Sequence, residues 1–307
     1  MSDFDLIIIG AGPAGLTAAQ YGARSNLKVL VIEQLSVGGQ ALVIDVLENY
    51  PGNIALKSGY EFAIDLHKQA ESFGASFFYG AVNSLKKEGS VFTAFLSDGT
   101  TRSAQAVILA AGAKPRMLDV KGEKEFAGKG VSYCATCDGN FFKNKKIFVV
   151  GGGDAACDEA RYLSRLTDKI VLIHRRDAFR AQKALAERTL SNPNIKVRYN
   201  TVIKEIKGEI KVKSLMLADT KTGEVYEEET DAVFIFAGTV PQSALASDLK
   251  AKLDENSYII TDQNMATNVP GLFAAGDVRS GAFRQVVTAA ADGAVAAHRA
   301  AEYIDAL

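Results

Sequence analysis

The run Leu6-Ile7-Ile8-Ile9-Gly10-Ala11-Gly12-Pro13-Ala14-Gly15 joins an uninterrupted apolar strand to three glycines in a G-x-G-x-x-G pattern. A strand apolar on both faces belongs in a parallel sheet that is covered on both sides. The glycines allow a tight turn and let backbone N–H groups at a helix N-terminus approach a pyrophosphate. A small-residue helix from Leu16 to about Arg24, then a second strand from Val29 to Ile32 ending at Glu33, completes a βαβ unit. The plan recurs further along. Ile147–Val150 leads into Gly151-Gly152-Gly153-Asp154-Ala155-Ala156, a helix to about Leu166, and a strand Ile170–Ile173 ending at His174-Arg175-Arg176. One glycine pattern alone carries little weight. Two copies, each set between a strand and a helix, predict an α/β protein with two Rossmann-like dinucleotide-binding domains.

Two similar segments mark the boundaries. Val107-Ile108-Leu109-Ala110-Ala111-Gly112-Ala113-Lys114-Pro115 and Val233-Phe234-Ile235-Phe236-Ala237-Gly238-Thr239-Val240-Pro241 each end a buried strand in Gly and then Pro. The segment after Pro241 is too short for a core of its own, so it is expected to return to the first domain. The expected division is 1–113 and 241–307 for one domain, with 114–240 inserted between them.

The residue closing the second strand tells the two nucleotides apart. Glu33 can accept hydrogen bonds from ribose hydroxyls and would repel a 2′-phosphate, which suits FAD or NAD. At the matching point stand His174, Arg175 and Arg176, with Arg180 shortly after, and guanidinium groups grip a phosphate bidentately. The second unit therefore suits NADP. A further strand, Gly271-Leu272-Phe273-Ala274-Ala275-Gly276-Asp277, delivers a carboxylate just before an apolar helix from Val286 to about Ala300. Beside a Glu33-type unit, Asp277 becomes a candidate for the ribityl hydroxyls of a flavin.

Cys134-Ala135-Thr136-Cys137-Asp138 is the reactive candidate. A C-x-x-C pair binds metal or acts in redox chemistry. The other cysteine, Cys157, and the histidines His67, His174 and His298 have no ligand spacing, so no metal is expected. So short a loop removes little unfolded-chain entropy, which argues against an inert staple. A redox pair in the segment of the NADP unit, alongside a flavin-type unit, points to electron transfer from a nicotinamide through a flavin to a disulfide. Asp138 is read either as a proton donor to a departing thiolate or as a turn residue before Gly139. Cys157 reads as a small buried hydrophobe.

A formal net charge of -1 indicates no nucleic-acid or anionic-membrane partner. The apolar run from Leu6 to Ile9 is too short for a secretory signal, and no stretch is long enough to span a bilayer, so the cytoplasm is the expected location.

With these residues in view, the chain resembles the low-molecular-weight, bacterial-type thioredoxin reductases, which are FAD- and NADPH-dependent pyridine nucleotide-disulfide oxidoreductases. The matching motifs are Gly10 to Gly15, Gly38-Gly39-Gln40, Glu48-Asn49-Tyr50-Pro51-Gly52, Cys134 to Gly139 and Gly151 to Ala156. His174 to Arg176 with Arg180, Gly276-Asp277 and Arg284-Gln285-Val286 follow in family order. The resemblance implies that Cys137 lies nearer the flavin, Cys134 attacks the partner disulfide and Asp138 is the acid/base. Candidate FAD contacts are Gly10, Gly12, Pro13, Ala14, Gly15, Glu33, Gly39, Gln40, Asn49, Gly112, Gly276, Asp277, Arg284, Gln285 and Val286. Candidate NADPH contacts are Gly151, Gly153, Asp154, Ala155, His174, Arg175, Arg176 and Arg180. It also implies a homodimer and a thioredoxin partner. Two departures from relatives are Cys157-Asp158, where an aliphatic and a Glu are usual, and the apolar Ala41-Leu42-Val43-Ile44-Asp45.

Because the nicotinamide and the C-x-x-C share one domain and both need the flavin held by the other, the inserted domain is expected to rotate about Ala113–Pro115 and Gly238–Pro241. Lys129, Tyr133, Phe141, Phe142, Lys143, Lys145 and Lys146 form either a docking face for an acidic partner or a solvated lysine run. The nearest rival reading is the core of an alkyl hydroperoxide reductase flavoprotein, whose extra N-terminal redox domain is not expected here because the chain begins at its first strand. A ferredoxin:NADP reductase would lack the C-x-x-C. A flavin-binding redox sensor is the reading from another class.

Overall fold

Phe4–Ile9 form strand β1, which runs straight into the glycine turn. Helix α1 (Pro13–Arg24) begins at Pro13 rather than at Leu16. Proline at the first helical position has a φ already suited to the helix, and its missing N–H would have no intrahelical partner there. Strand β2 (Val29–Glu33) lies parallel to β1, with Leu6 opposite Val29. Helix α2 (Gly59–Ser72) opens with a Ser58–Glu61 capping box and leads to β3 (Ser76–Tyr79). An antiparallel pair, β4 (Val82–Glu88) and β5 (Val91–Leu96), then leads to β6 (Thr101–Leu109). The computed structural model describes residues 2–44, 46–47, 49–55 and 57–307, with the side chains of Val43 and Cys137 outside that description.

After β7 (Ala113–Pro115) come β8 (Val131–Ser132), the helical turn α3 (Ala135–Asp138) and β9 (Ile147–Gly151). Helix α4 (Asp154–Leu163), β10 (Ile170–Ile173), α5 (Lys183–Leu190) and β11 (Ile195–Arg198) follow. Helix α4 stops at Leu163, short of Leu166, because its last turn tightens into i→i+3 bonds from Arg165 N to Tyr162 O and Leu166 N to Leu163 O. Three antiparallel strands, β12 (Thr201–Gly208), β13 (Val212–Asp219) and β14 (Val225–Glu229), precede β15 (Ala232–Phe236) and β16 (Thr239–Pro241). The chain closes with α6 (Ala244–Asp248), β17 (Leu272–Ala274) and α7 (Val286–Asp305). Helix α7 continues past Ala300 to Asp305.

The chain divides into two compact units, Met1–Lys114 with Val240–Leu307, and Pro115–Thr239. In the first, the sheet order is β3-β2-β1-β6-β5-β4, and β17 pairs parallel with the C-terminal half of β6. Leu6 and Ile8 face α1 and α7, whereas Ile7 and Ile9 face a second core containing Leu85, Phe92 and Ile259. In the second unit, β11-β10-β9-β15-β8 form a five-stranded parallel sheet. Phe148, Val171 and Ile235 pack against β12 and β13, and Val149, Leu172 and Phe234 pack against α4. Each central strand is therefore apolar on both faces, as the continuous apolar runs require. The mixed α/β class with parallel sheets is as the sequence predicts.

Candidate functional site

In the first unit, Gly10 (φ 104°) turns the chain beneath β6, where any Cβ would meet the Ala110 carbonyl. A Cβ on Gly15 would sit 1.8 Å from the Gly10 carbonyl oxygen, so Gly15 brings α1 down onto the turn. Gly12 is different: a Cβ there would meet nothing within 4 Å. Open space therefore faces the start of α1, where backbone N–H groups point outward. Ala11 N–H donates to Glu33 Oε2 (2.7 Å) and Leu35 N–H to Oε1 (2.8 Å), which fixes the carboxylate beside the turn.

Gly38 N–H donates to Ala11 O (2.7 Å), and Gly39 lies against Gly12. Gln40 Nε2 donates to Ala113 O (3.4 Å), next to Gly112, which has φ 63° and open space where a side chain would be. Asn49 Nδ2 donates to Gln285 Oε1 (2.9 Å), and Gln285 caps α7, whose first residue is Val286. Gly276 (φ 77°) packs on Ala14, and Arg284 stacks 4.4 Å from the centre of the Tyr258 ring. Burial pushes the Asp277 carboxyl up from its ordinary pKa, opposed by Arg284 and reinforced by Asp292. Hydrogen bonds and close packing thus gather these residues at the carboxyl ends of parallel strands, the usual place for a ligand in such sheets. Glu48 and Asp45 lie outside the described residues.

Sequence reasoning missed Asp292 and Arg279. Buried Asp292 accepts from Gly276 N–H (3.1 Å) and pairs with Arg279 (2.9 Å), which locks the turn carrying Asp277. The available signal was one acid in the alanine-rich face of α7.

In the second unit, Gly151 (φ 152°) passes under Phe236 O. Gly153 caps α4, and a Cβ there would meet nothing within 4 Å. The His174 ring covers Gly152, and Arg180 N–H donates to Gly152 O (2.6 Å), so the loop after β10 folds back on the glycine turn. Burial lowers the His174 pKa, and Arg180 adds to the effect. Arg175, Arg176 and Arg180 are exposed and form no ion pair among the described residues. Ala155 is exposed in the first turn of α4. Asp154 receives Gln182 N–H (2.7 Å) and Gln182 Nε2 (2.9 Å), so its carboxylate orders the loop.

The same unit holds the cysteines. Cys134 is half-buried and disulfide-bonded, Cys157 is free and buried, and the side chain of Cys137 lies outside the described residues. Burial raises the pKa of Cys157, which suits an inert thiol. Ser132, buried at the end of β8, donates to Asp138 Oδ2 (2.6 Å), and Cys134 N–H donates to Ser132 Oγ (3.1 Å). Tyr133 donates to Glu123 (2.8 Å), a fully buried carboxylate that also accepts Leu118 N–H and Asp119 N–H. Phe142 packs edge-on against Phe234, leaving Phe141 exposed. Among the described residues, no three His, Cys, Asp or Glu side chains converge as a metal site would need, and no helix is long and apolar enough to cross a membrane.

The pattern of the pyridine nucleotide-disulphide oxidoreductase family matches residues 4–293. The thioredoxin reductase of Treponema pallidum (strain Nichols) is 56% identical over 307 residues, covering 100% of this chain and 99% of that protein. That of Bacillus subtilis (strain 168) is 44% identical over 305 residues, 99% of this chain and 96% of that protein. Among solved structures, the Lactococcus lactis thioredoxin reductase superposes with a TM-score of 0.95 at 41% identity, covering 99% of this chain and 100% of that one. The T. acidophilum enzyme gives 0.92 at 37% identity, covering 100% and 99%. A match along the full length, joined to two nucleotide turns and a C-x-x-C in family order, places the chain in the pyridine nucleotide-disulphide oxidoreductase family, among its thioredoxin reductases.

Proposed function

We propose that this chain is a thioredoxin-disulfide reductase that moves an electron pair from NADPH through FAD to the Cys134–Cys137 disulfide, and from there to oxidised thioredoxin. The observation that carries the reading is the placing of Cys134 and Asp138 in the same compact unit as a glycine turn flanked by three guanidinium groups that have no carboxylate partner among the described residues. The open positions before α1 and α4 fit pyrophosphates, since a Cβ at Gly12 or Gly153 would enter space the protein leaves free. Glu33, anchored by Ala11 and Leu35, fits ribose hydroxyls in the FAD unit (1–113 with 241–307). Arg175 and Arg176 fit a 2′-phosphate in the NADPH unit (114–240).

When bound, the flavin and nicotinamide supply two-electron hydride chemistry, which the cysteines lack. On receiving the pair, the bond between Cys134 and Cys137 breaks to a dithiol with uptake of protons. The Cys134 thiolate attacks the partner disulfide, forming a mixed disulfide, and the departing sulfur takes a proton from Asp138. Cys137 then attacks Cys134, re-forms the original bond and releases the partner as a dithiol. The balance is NADPH, one proton and a disulfide in; NADP and a dithiol out. A homodimer and a cytoplasmic, reducing setting accompany this reading.

Anaerobic NADPH titration of the purified flavoprotein tests it, comparing wild type with Cys137→Ser. Uptake of two electron pairs per flavin by wild type and one by the variant puts flavin and dithiol in series. Uptake of one pair by both would place the cysteines outside the electron path.

A further inference from the structure

We infer that Ser132 is the positioning residue that divides the labour of the two Asp138 oxygens, holding Oδ2 and leaving Oδ1 to carry the proton. The inference rests on the acid/base role of Asp138 in the proposed function. Ser132 has one hydroxyl hydrogen, and two acceptors lie within reach, Asp138 Oδ2 at 2.6 Å and Cys134 O at 3.2 Å. The carboxylate is nearer and is the stronger acceptor, so the hydrogen goes there. The Ser132 oxygen is itself fixed from the other side, because Cys134 N–H donates to it. Among the described residues, Asp138 Oδ1 accepts no hydrogen bond.

The anchor is also the rigid part of the arrangement. Asp138 ends the four-residue turn α3, which has little stability of its own. Ser132 is buried and belongs to β8, where Val131 and Ser132 pair with Val233 and Phe234 of the parallel sheet. The hydroxyl therefore ties the carboxylate to the sheet and not merely to its own turn. A side chain that must deliver a proton to a sulfur needs that restraint, because small misplacements at a reacting centre cost large factors in rate. In the step itself the Oδ1 proton passes to the departing thiolate, leaving Asp138 ionised with Oδ2 still accepting from Ser132; solvent then returns the proton.

The test measures kcat, KM and the pH profile with oxidised thioredoxin for Ser132→Ala, Ser132→Thr, Asp138→Asn and the Ser132→Ala/Asp138→Asn double variant. Thermal unfolding of each is followed in parallel. Expected are a kcat about tenfold lower for Ser132→Ala, the equivalent of one hydrogen bond to a charged group, with KM unchanged and the pH of half-maximal rate displaced. Ser132→Thr restores the rate, and the double variant is no slower than Asp138→Asn alone. A slow Asp138→Asn beside a Ser132→Ala of wild-type rate and profile would overturn the inference and leave the acid/base reading standing. An additive double variant would overturn it too, since structural damage adds and action through Asp138 does not. Wild-type behaviour of Asp138→Asn would remove the acid/base reading itself and the inference with it.

Discussion

Glu33 and the His174–Arg176 run stand at matching points, each closing the second strand of a βαβ unit, and they differ in charge. Glu33 is held by two backbone N–H groups, so it is presented in one geometry. Arg175 and Arg176 have no carboxylate to compete with a phosphate among the described residues. His174 does different work. Its ring fills the space above Gly152, and burial lowers its pKa, with the neighbouring Arg180 adding to the effect. Replacing Arg175 or Arg176 by Ala should therefore raise KM for NADPH by roughly ten- to a hundredfold each, the loss of a charge-assisted contact. KM for NADH should change little. Steady-state kinetics with both nucleotides check this, and an equal loss with both would show that these arginines do not read the 2′-phosphate.

At the scale of elements, the glycines of one motif serve two different ends. Gly15 and Gly10 are required by packing, since α1 cannot approach the turn if a Cβ stands on Gly15. Gly12 is not, for it has φ −74° and an open position where a methyl group fits the apo fold. Gly12→Ala should leave the stability of the flavin-free protein within about 0.5 kcal/mol of wild type while loosening FAD by at least about tenfold. Gly15→Ala should cost the fold itself about 3 kcal/mol. Denaturant unfolding of the apoprotein and flavin-fluorescence titration separate the two. If Gly12→Ala binds FAD as tightly as wild type, the space before α1 is not where the pyrophosphate lies.

For the molecule as a whole, the Gly151–Gly153 turn and the cysteines belong to one unit and Glu33 and Asp277 to the other. The chain passes between the units only at β7 and β16, which pair with each other, with Gly238 at φ 102°. In the proposed function a nicotinamide donates electrons to the flavin and the disulfide accepts them from it, so we propose that each meets the flavin in turn by reorientation about these crossings. A cleavable cross-link between the units should abolish thioredoxin reduction while NADPH still binds, and cleavage should restore turnover; undiminished turnover in the linked protein would end the idea. Sequence alone determines the two βαβ units, their order, the charge that follows each second strand and the C-x-x-C, because strand periodicity and glycine turns are encoded within a few neighbouring residues. Only the tertiary structure decides that Ser132 holds Asp138, that Asp292 and Arg279 lie behind Gly276, and that Asp154 is engaged by Gln182. The last two pairings join residues distant in the chain, and even the first depends on how a strand end and a helical turn are packed. A polar side chain's partner is set by which groups burial brings within about 3 Å of it, and no local pattern records that distance.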